Sequence, residues 1–407
     1  MKGNIMTKLD LIPSRRTLCG ALTLLLPATA AFADAVSDWN TRANAVLVDA
    51  RMGTPPAVRV MAIAQTAVHL AVSEAARSGT APAAADAAVA AANRAVLLKA
   101  VPAQKDAIES AYRTALASIA DADARNAGIA IGERAAGTVL NARGSDGAGS
   151  AESYRPHTTP GAYVPTAIPA VPQWAGRRPW MLDSPAQFRP AAPPALTSAT
   201  WARDFEEVKI LGAKGSTQRN EEQTAIARFW EFSMPAIYHD LVASVATRPG
   251  RDVLANARLY AVVAQAMDDA LISVMDAKYH YNFWRPVTAI RNGDVDGHPA
   301  TERDAAWSPL IDTPAHPEYP CAHCILAATV GTVLKSEMAP GTVLAAASPT
   351  AQGATRRWTS TDSLMREVAD ARIFDGVHYR NSTEVGLAMG QRIGELAAAR
   401  LRAPVVD

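Results

Sequence analysis

The sequence predicts an all-α fold, and three observations predict it. Apolar residues recur at steps of three and four along most of the chain, and no segment shows the period-two alternation of a half-buried strand. Alanine, the strongest helix former, is abundant throughout. Proline and glycine gather at element boundaries and in two long loops, where they separate helices.

Residues 1–33 read as a cleaved export signal. Ser14-Arg15-Arg16-Thr17-Leu18 is a twin-arginine-like start, the apolar run 21–32 is too short for a comfortable membrane span, and Ala31-Phe32-Ala33 supplies the small residues of a cleavage site. This places the mature protein in the periplasm or outside the cell, with no stable membrane insertion after processing. No later segment reads as a spanning helix; the Ala-rich stretch 81–104 is interrupted by Asp86, Asn93, Arg94 and Lys99.

Five helices are expected between 34 and 143, at 39–51, 57–77, 82–101, 104–120 and 124–143, with breaks at Thr54-Pro55-Pro56, Gly79, Pro102 and Gly144. His69 falls on the apolar stripe of the second helix and reads as a packed core histidine. Residues 144–200 change character. Their repeated prolines, from Pro156 to Pro194, make an irregular connection, and Tyr163, Trp174, Trp180 and Phe188 imply that it packs across the surface, where it could cover a site mouth. Helical periodicity resumes at 200–211, 221–230 and 235–247 and in a long run, 251–284. A Pro/His/Asp-rich loop, 291–320, precedes a helix starting at Pro320, and a final helix spans 382–401. The mature chain, 34–407, is read as a single helical domain with a first half (34–143), a Pro-rich connection (144–200) and a later half (201–407).

The 407 residues suffice for a substantial core. Lys+Arg (40) balances Asp+Glu (39), so the net charge of +1 gives no reason to expect nucleic acid or an anionic membrane as partner. Of three cysteines, Cys19 leaves with the signal, and Cys321 and Cys324 alone make no disulfide framework.

Three segments carry the chemistry. In the first, Asp276–Pro286, Lys278 and Arg285 stand seven residues apart, two turns of a helix, and continue an apolar stripe through Val263, Met267, Ala270, Leu271 and Val274. Two cations aimed inward need an anion. Salt bridges to Asp268, Asp269 or Asp276 would satisfy that need, and so would a bound anion. In the second segment, His316–Cys324, Pro320 suits the first position of a helix, leaving the amides of Cys321, Ala322 and His323 as an anion cradle, with His323 placed for acid/base work. In the third, Arg372 can grip two oxygens of an oxyanion, and the Asp375-Gly376 turn brings His378 back toward the same point.

In order, Lys278-(six residues)-Arg285-Pro286, Pro320-x-x-His323 and Arg372-(five residues)-His378 resemble the tripartite signature shared by vanadium-dependent haloperoxidases and the type 2 phosphatidic acid phosphatase superfamily. The run from Lys278 to Ile290, the His316–Pro320 lead-in and His378–Gly386 resemble the exported bacterial, haloperoxidase-related branch. The likeness extends upstream through Pro193–Ser198 and Phe229-Trp230. The resemblance implies two helical bundles of the vanadium haloperoxidase type with long irregular connecting loops, and an oxyanion site in the later bundle. It implies Lys278, Arg285, Cys321, Ala322 and Arg372 around vanadate (phosphate could occupy the same site), His378 bound to vanadium, and His323 as the acid/base histidine. Hydrogen peroxide, a halide and a small organic acceptor would be the reaction partners.

The chain also departs from the family pattern. Cys321-Ala322 replace the usual Ser-Gly, Ala371 replaces a common Ser, and Ser382 stands where many relatives carry an Asp that orients the histidine. Met275 replaces a Trp of chloroperoxidases, and His316 matches a histidine of bromoperoxidases, so both are possible halide or supporting residues. Bromide or iodide is the expected halide over chloride. Two alternatives share the fold: an exported acid phosphatase with a phosphohistidine mechanism, and a non-catalytic oxyanion-binding homologue. A thiol–disulfide oxidoreductase built on Cys321-Ala322-His323-Cys324 would need a preceding strand that the sequence lacks. One helical turn cannot wrap Cys321, His323 and Cys324 around zinc.

Overall fold

The computed structural model describes residues 34–403, so the expected export signal lies outside the described residues. The first bundle comprises α1 (Ala35–Asp49), α2 (Thr54–Arg77), α3 (Pro82–Ala100), α4 (Lys105–Ala117) and α5 (Ala122–Arg143). Asp34 and Asp121 cap α1 and α5 by accepting first-turn amides, and prolines open α2 and α3 where their missing N–H is no loss. Among the described residues α2 alone has the length and hydropathy of a membrane span, contrary to expectation. However, 72% of that window is buried, and α2 packs on α3 and α5, so its apolarity serves the core.

Residues 144–200 are irregular, as expected, with one 3-10 turn at Pro172–Gly176. They are tied down by carboxylates of a later helix, described below, through pairs too distant in sequence to foresee. α6 (Ala199–Leu211), α7 (Glu221–Trp230) and α8 (Pro235–Ala246) follow, with an Asn220–Gln223 capping box opening α7. The long α9 (Val253–Tyr281) packs on α2 of the first bundle and on α11 and α13 of the second. The second bundle is completed by α10 (Pro286–Arg291), α11 (Ala322–Glu337), α12 (Thr361–Phe374) and α13 (Arg380–Arg402).

One element contradicts the strand-free expectation. Leu344–Ser348 (β1) and Ala354–Trp358 (β2) form an antiparallel hairpin with Leu344 opposite Trp358. Leu-Ala-Ala-Ala-Ser has helix-forming composition; packing against α8, with Leu344 and Trp358 buried, overrides that propensity.

Helix α13 lies close on α11 because its facing residues are glycines. A Cβ on Gly390 would stand 2.3 Å from the Ile325 carbonyl oxygen, and one on Gly386 2.7 Å from that of Cys321. Gly390→Val is therefore expected to cost at least about 1–3 kcal/mol, the range for overpacked cores, read as a lower denaturation midpoint at unchanged slope. An unchanged midpoint would mean the two helices separate freely.

Candidate oxyanion site

The site begins at the end of α9. Lys278 lies in its last turn, fully buried, and donates through Nζ to the carbonyls of Pro317 (2.9 Å) and Glu318 (2.6 Å). Arg285 does not share that helix, which corrects the two-turn reading. Asn282 takes the left-handed conformation (φ 48°) and ends α9. Phe283 and Trp284 then pair with 161–163 of the connection, and Arg285 becomes the N-cap of α10. Helical periodicity placed the two cations on one wall; in the fold they come together through a chain reversal.

The salt-bridge alternative fails on partners. Asp268 pairs with buried Arg177 and accepts from Trp180 Nε1. Asp269 accepts the amides of Trp180, Met181 and Leu182, and burial pushes its carboxyl up to about 7 against those amides. Asp276 pairs with Arg189. All three fasten the 144–200 connection. Arg285, buried, donates to the carbonyls of His316 (2.9 Å) and Val377 (2.8 Å) and to two imidazole nitrogens, His316 Nδ1 (2.9 Å) and His378 Nε2 (3.3 Å). Lys278 and Arg285 thus form no ion pair among the described residues.

In the second segment, Pro320 is not the first helical residue. Cys321 is the N-cap of α11, its amide donates to the Ser382 carbonyl (3.2 Å), and its sulfur is joined to Cys324 in a disulfide with both cysteines fully buried. The expected Cys321 contribution to the cradle is therefore corrected: neither its amide nor a thiol is free. A disulfide closing so short a loop constrains little chain, so the fold still rests on its core. The Ala322 and His323 amides remain the first-turn donors without an intrahelical acceptor.

The third segment folds as its residues imply. Helix α12 ends at Asp375, and Gly376 takes φ +80°. The amides of Val377 and His378 then turn back onto the Arg372 carbonyl, which returns His378 toward Arg372. Arg372 is held by Asp375 and the Trp230 carbonyl, and burial raises Asp375 to about 7 against the pull of Arg372.

These elements enclose a cavity of about 390 Å³ lined by His316, His323, His378, Arg372, Ala322 and Met275. Ala170 of the connection also borders it, so that segment helps form the wall. A larger cavity, about 810 Å³, between α2, α3 and α5 holds no residue of the three motifs. Burial, then Arg285, push the Lys278 ammonium well below its ordinary value, and burial lowers Arg285 to about 10. His378 and His323 are likewise held well below the usual imidazole range, first by burial and then by Arg285, Lys278 and Arg372. An anion in the cavity would oppose each of these downward shifts. The residues fit a tetrahedral oxyanion: Arg372 Nε and His323 Nε2 are buried without a partner, and Ala322 and His323, the first residues of α11, line the same cavity as Arg372.

Sequence reasoning missed Glu318. It is fully buried, its Oε1 lies 2.6 Å from His378 Nδ1 and accepts the Tyr379 amide (3.2 Å), and burial raises its carboxyl to about 7. The Ser382 hydroxyl lies farther from Nδ1, at 3.4 Å. The one available signal was an acidic residue inside an otherwise apolar and proline-rich lead-in, Pro317-Glu318-Tyr319-Pro320.

Comparison with known proteins bears on the fold. Residues 258–406 match the family described as the VCPO second helical-bundle domain. A vanadium chloroperoxidase of Curvularia inaequalis is 30% identical over 174 residues, 34% of this chain, and the match spans only 28% of that relative's length. Among solved structures, a bacterial vanadium-dependent iodoperoxidase superposes with TM-score 0.77 at 22% identity, over 90% of this chain and 95% of that one. A bacterial vanadium-dependent chloroperoxidase in its holo form gives 0.70 at 18% identity, over 86% and 93%. The described chain therefore has the fold of the vanadium haloperoxidases, and its residues 258–406 are similar to the second helical-bundle domain described for that family.

Proposed function

We propose that this protein is a vanadate-dependent haloperoxidase-like enzyme that uses hydrogen peroxide to oxidise a halide, bromide or iodide in preference to chloride, and delivers it to a small organic acceptor. The observation that carries the reading is the pair of buried cations, Lys278 and Arg285, neither within ion-pair distance of a carboxylate among the described residues, with Arg285 touching His316 and His378, which line a cavity together with His323 and Arg372. Unpaired buried charge is too costly to keep without an anion of opposite sign. Vanadate, when bound, supplies a Lewis-acidic centre that activates peroxide. Lys278, Arg285 and Arg372 would hold its oxygens, the Ala322 and His323 amides would add neutral donors, and His378 Nε2 would be the ligand atom. His323 Nε2, without a protein partner, takes or returns a proton at the bound group. Met275 and His316 border the cavity where an incoming halide would approach. Export by the N-terminal signal is part of the proposal, and the Cys321–Cys324 disulfide suits an oxidising compartment.

A second reading, an exported phosphatase, is favoured by the lone pair that the Arg285 contact leaves on His378 Nε2, which could attack phosphorus. One assay separates the two. Purified protein is given bromide and hydrogen peroxide with and without orthovanadate, and p-nitrophenyl phosphate in parallel. Vanadate-dependent bromination is expected, with no phosphatase turnover. Phosphate ester hydrolysis that vanadate inhibits would establish the phosphatase instead, and neither activity would leave an oxyanion binder.

A further inference from the structure

We infer that Glu318 is the positioning residue of His378, taking the place of the carboxylate that Ser382 lacks. The inference rests on the oxyanion reading of the site. Two neighbours dictate one tautomer. Arg285 Nη1, 3.3 Å from His378 Nε2, can only donate, so Nε2 carries the lone pair. Glu318 Oε1, 2.6 Å from Nδ1 and already accepting the Tyr379 amide, takes the Nδ1 proton. The ring therefore keeps its lone pair on Nε2, the nitrogen beside Arg285, as a ligand or nucleophile must, and His378 lines the cavity.

Glu318 is itself fixed at its carbonyl, its amide and its carboxylate. Lys278 donates to the Glu318 carbonyl, the Glu318 amide donates to the Phe283 carbonyl (2.8 Å), and Tyr379 donates to its side chain. Ser382 lies in the first turn of α13, buried, with its hydroxyl 3.4 Å from Nδ1, so an aspartate there would have the reach to replace Glu318.

The test reads the imidazole directly and the anion separately. In ¹H–¹⁵N spectra of the protein without vanadate, His378, assigned by its loss in H378Q, is expected to show a protonated Nδ1 with a strongly downfield proton, the mark of a short charge-assisted hydrogen bond. E318A should remove that resonance and weaken orthovanadate binding about tenfold or more by calorimetry. The double variant E318A/S382D should recover the resonance and bring affinity back to within about threefold of wild type, a rescue that a merely structural role would not produce. If E318A does not fold, E318Q, of the same shape, should move the proton upfield and weaken binding. A wild-type ring protonated at Nε2 overturns the proposal, as does a folded E318A or E318Q with unchanged resonance and affinity. Wild-type protein that binds no orthovanadate overturns the oxyanion reading instead, and leaves the spectrum to decide on Glu318.

Discussion

Replacing His378 by alanine is expected to lower orthovanadate affinity by about 100-fold or more, beyond the 10–100-fold typical of residues that only support a ligand. His378 is the one histidine in contact with both Arg285 and Glu318, so its removal deletes the ligand nitrogen and separates the two halves of the site. The fold should survive, because the ring borders an existing cavity that water can extend into, and Glu318 keeps the Tyr379 amide. Calorimetry with orthovanadate, alongside thermal unfolding, checks both halves of the expectation. Affinity equal to wild type in a folded H378A protein would move the ligand atom elsewhere, with His316 and His323 the remaining imidazoles on the cavity.

The largest effect on stability is expected at Asp268→Ala. Its side chain and that of Arg177 are both fully buried, paired through 2.6 and 2.9 Å bonds, and Trp180 Nε1 donates to the same carboxylate. Breaking a buried pair from one side costs about 3–5 kcal/mol because the remaining charge stays unpaired. Arg177 keeps Asp146, which places the expectation at the lower end of that range. Asp268→Asn, which keeps the shape and the Trp180 acceptor, should cost less. Chemical denaturation reads the difference between the two variants. Equal and small losses for both would show that residues 144–200 hold to α9 by packing alone. Since Ala170 of that connection borders the cavity, a destabilised connection should also loosen the site wall.

Much of the helical framework was legible in the residues. α7 falls on its expected span, and most other helices lie within a few residues of theirs, because amphipathic periodicity and alanine content agree over long stretches. The failures have local causes. The long run 251–284 overshot because Asn282, one residue in the left-handed region, ends α9 where the composition stays helical. Pro320 was read as a helix start because its missing N–H suits that position, whereas Cys321 holds the cap. The hairpin at 344–358 was hidden by alanines that only tertiary packing turns into a strand.

What the sequence by itself determined is the cast of the proposed site: Lys278, Arg285, His323, Arg372 and His378, residue types whose order and spacing point to cations and imidazoles around an oxyanion. The tertiary structure alone decided the partners. Asp268, Asp269 and Asp276 stand on the same helix as Lys278, yet they face the connection, while Lys278 reaches carbonyls 39 and 40 residues away. The carboxylate that holds His378 comes from 60 residues upstream, not from the next helical turn. A charge advertises its need for a partner in any window of sequence, but which partner meets it depends on distance and burial, and those exist only once the chain has folded.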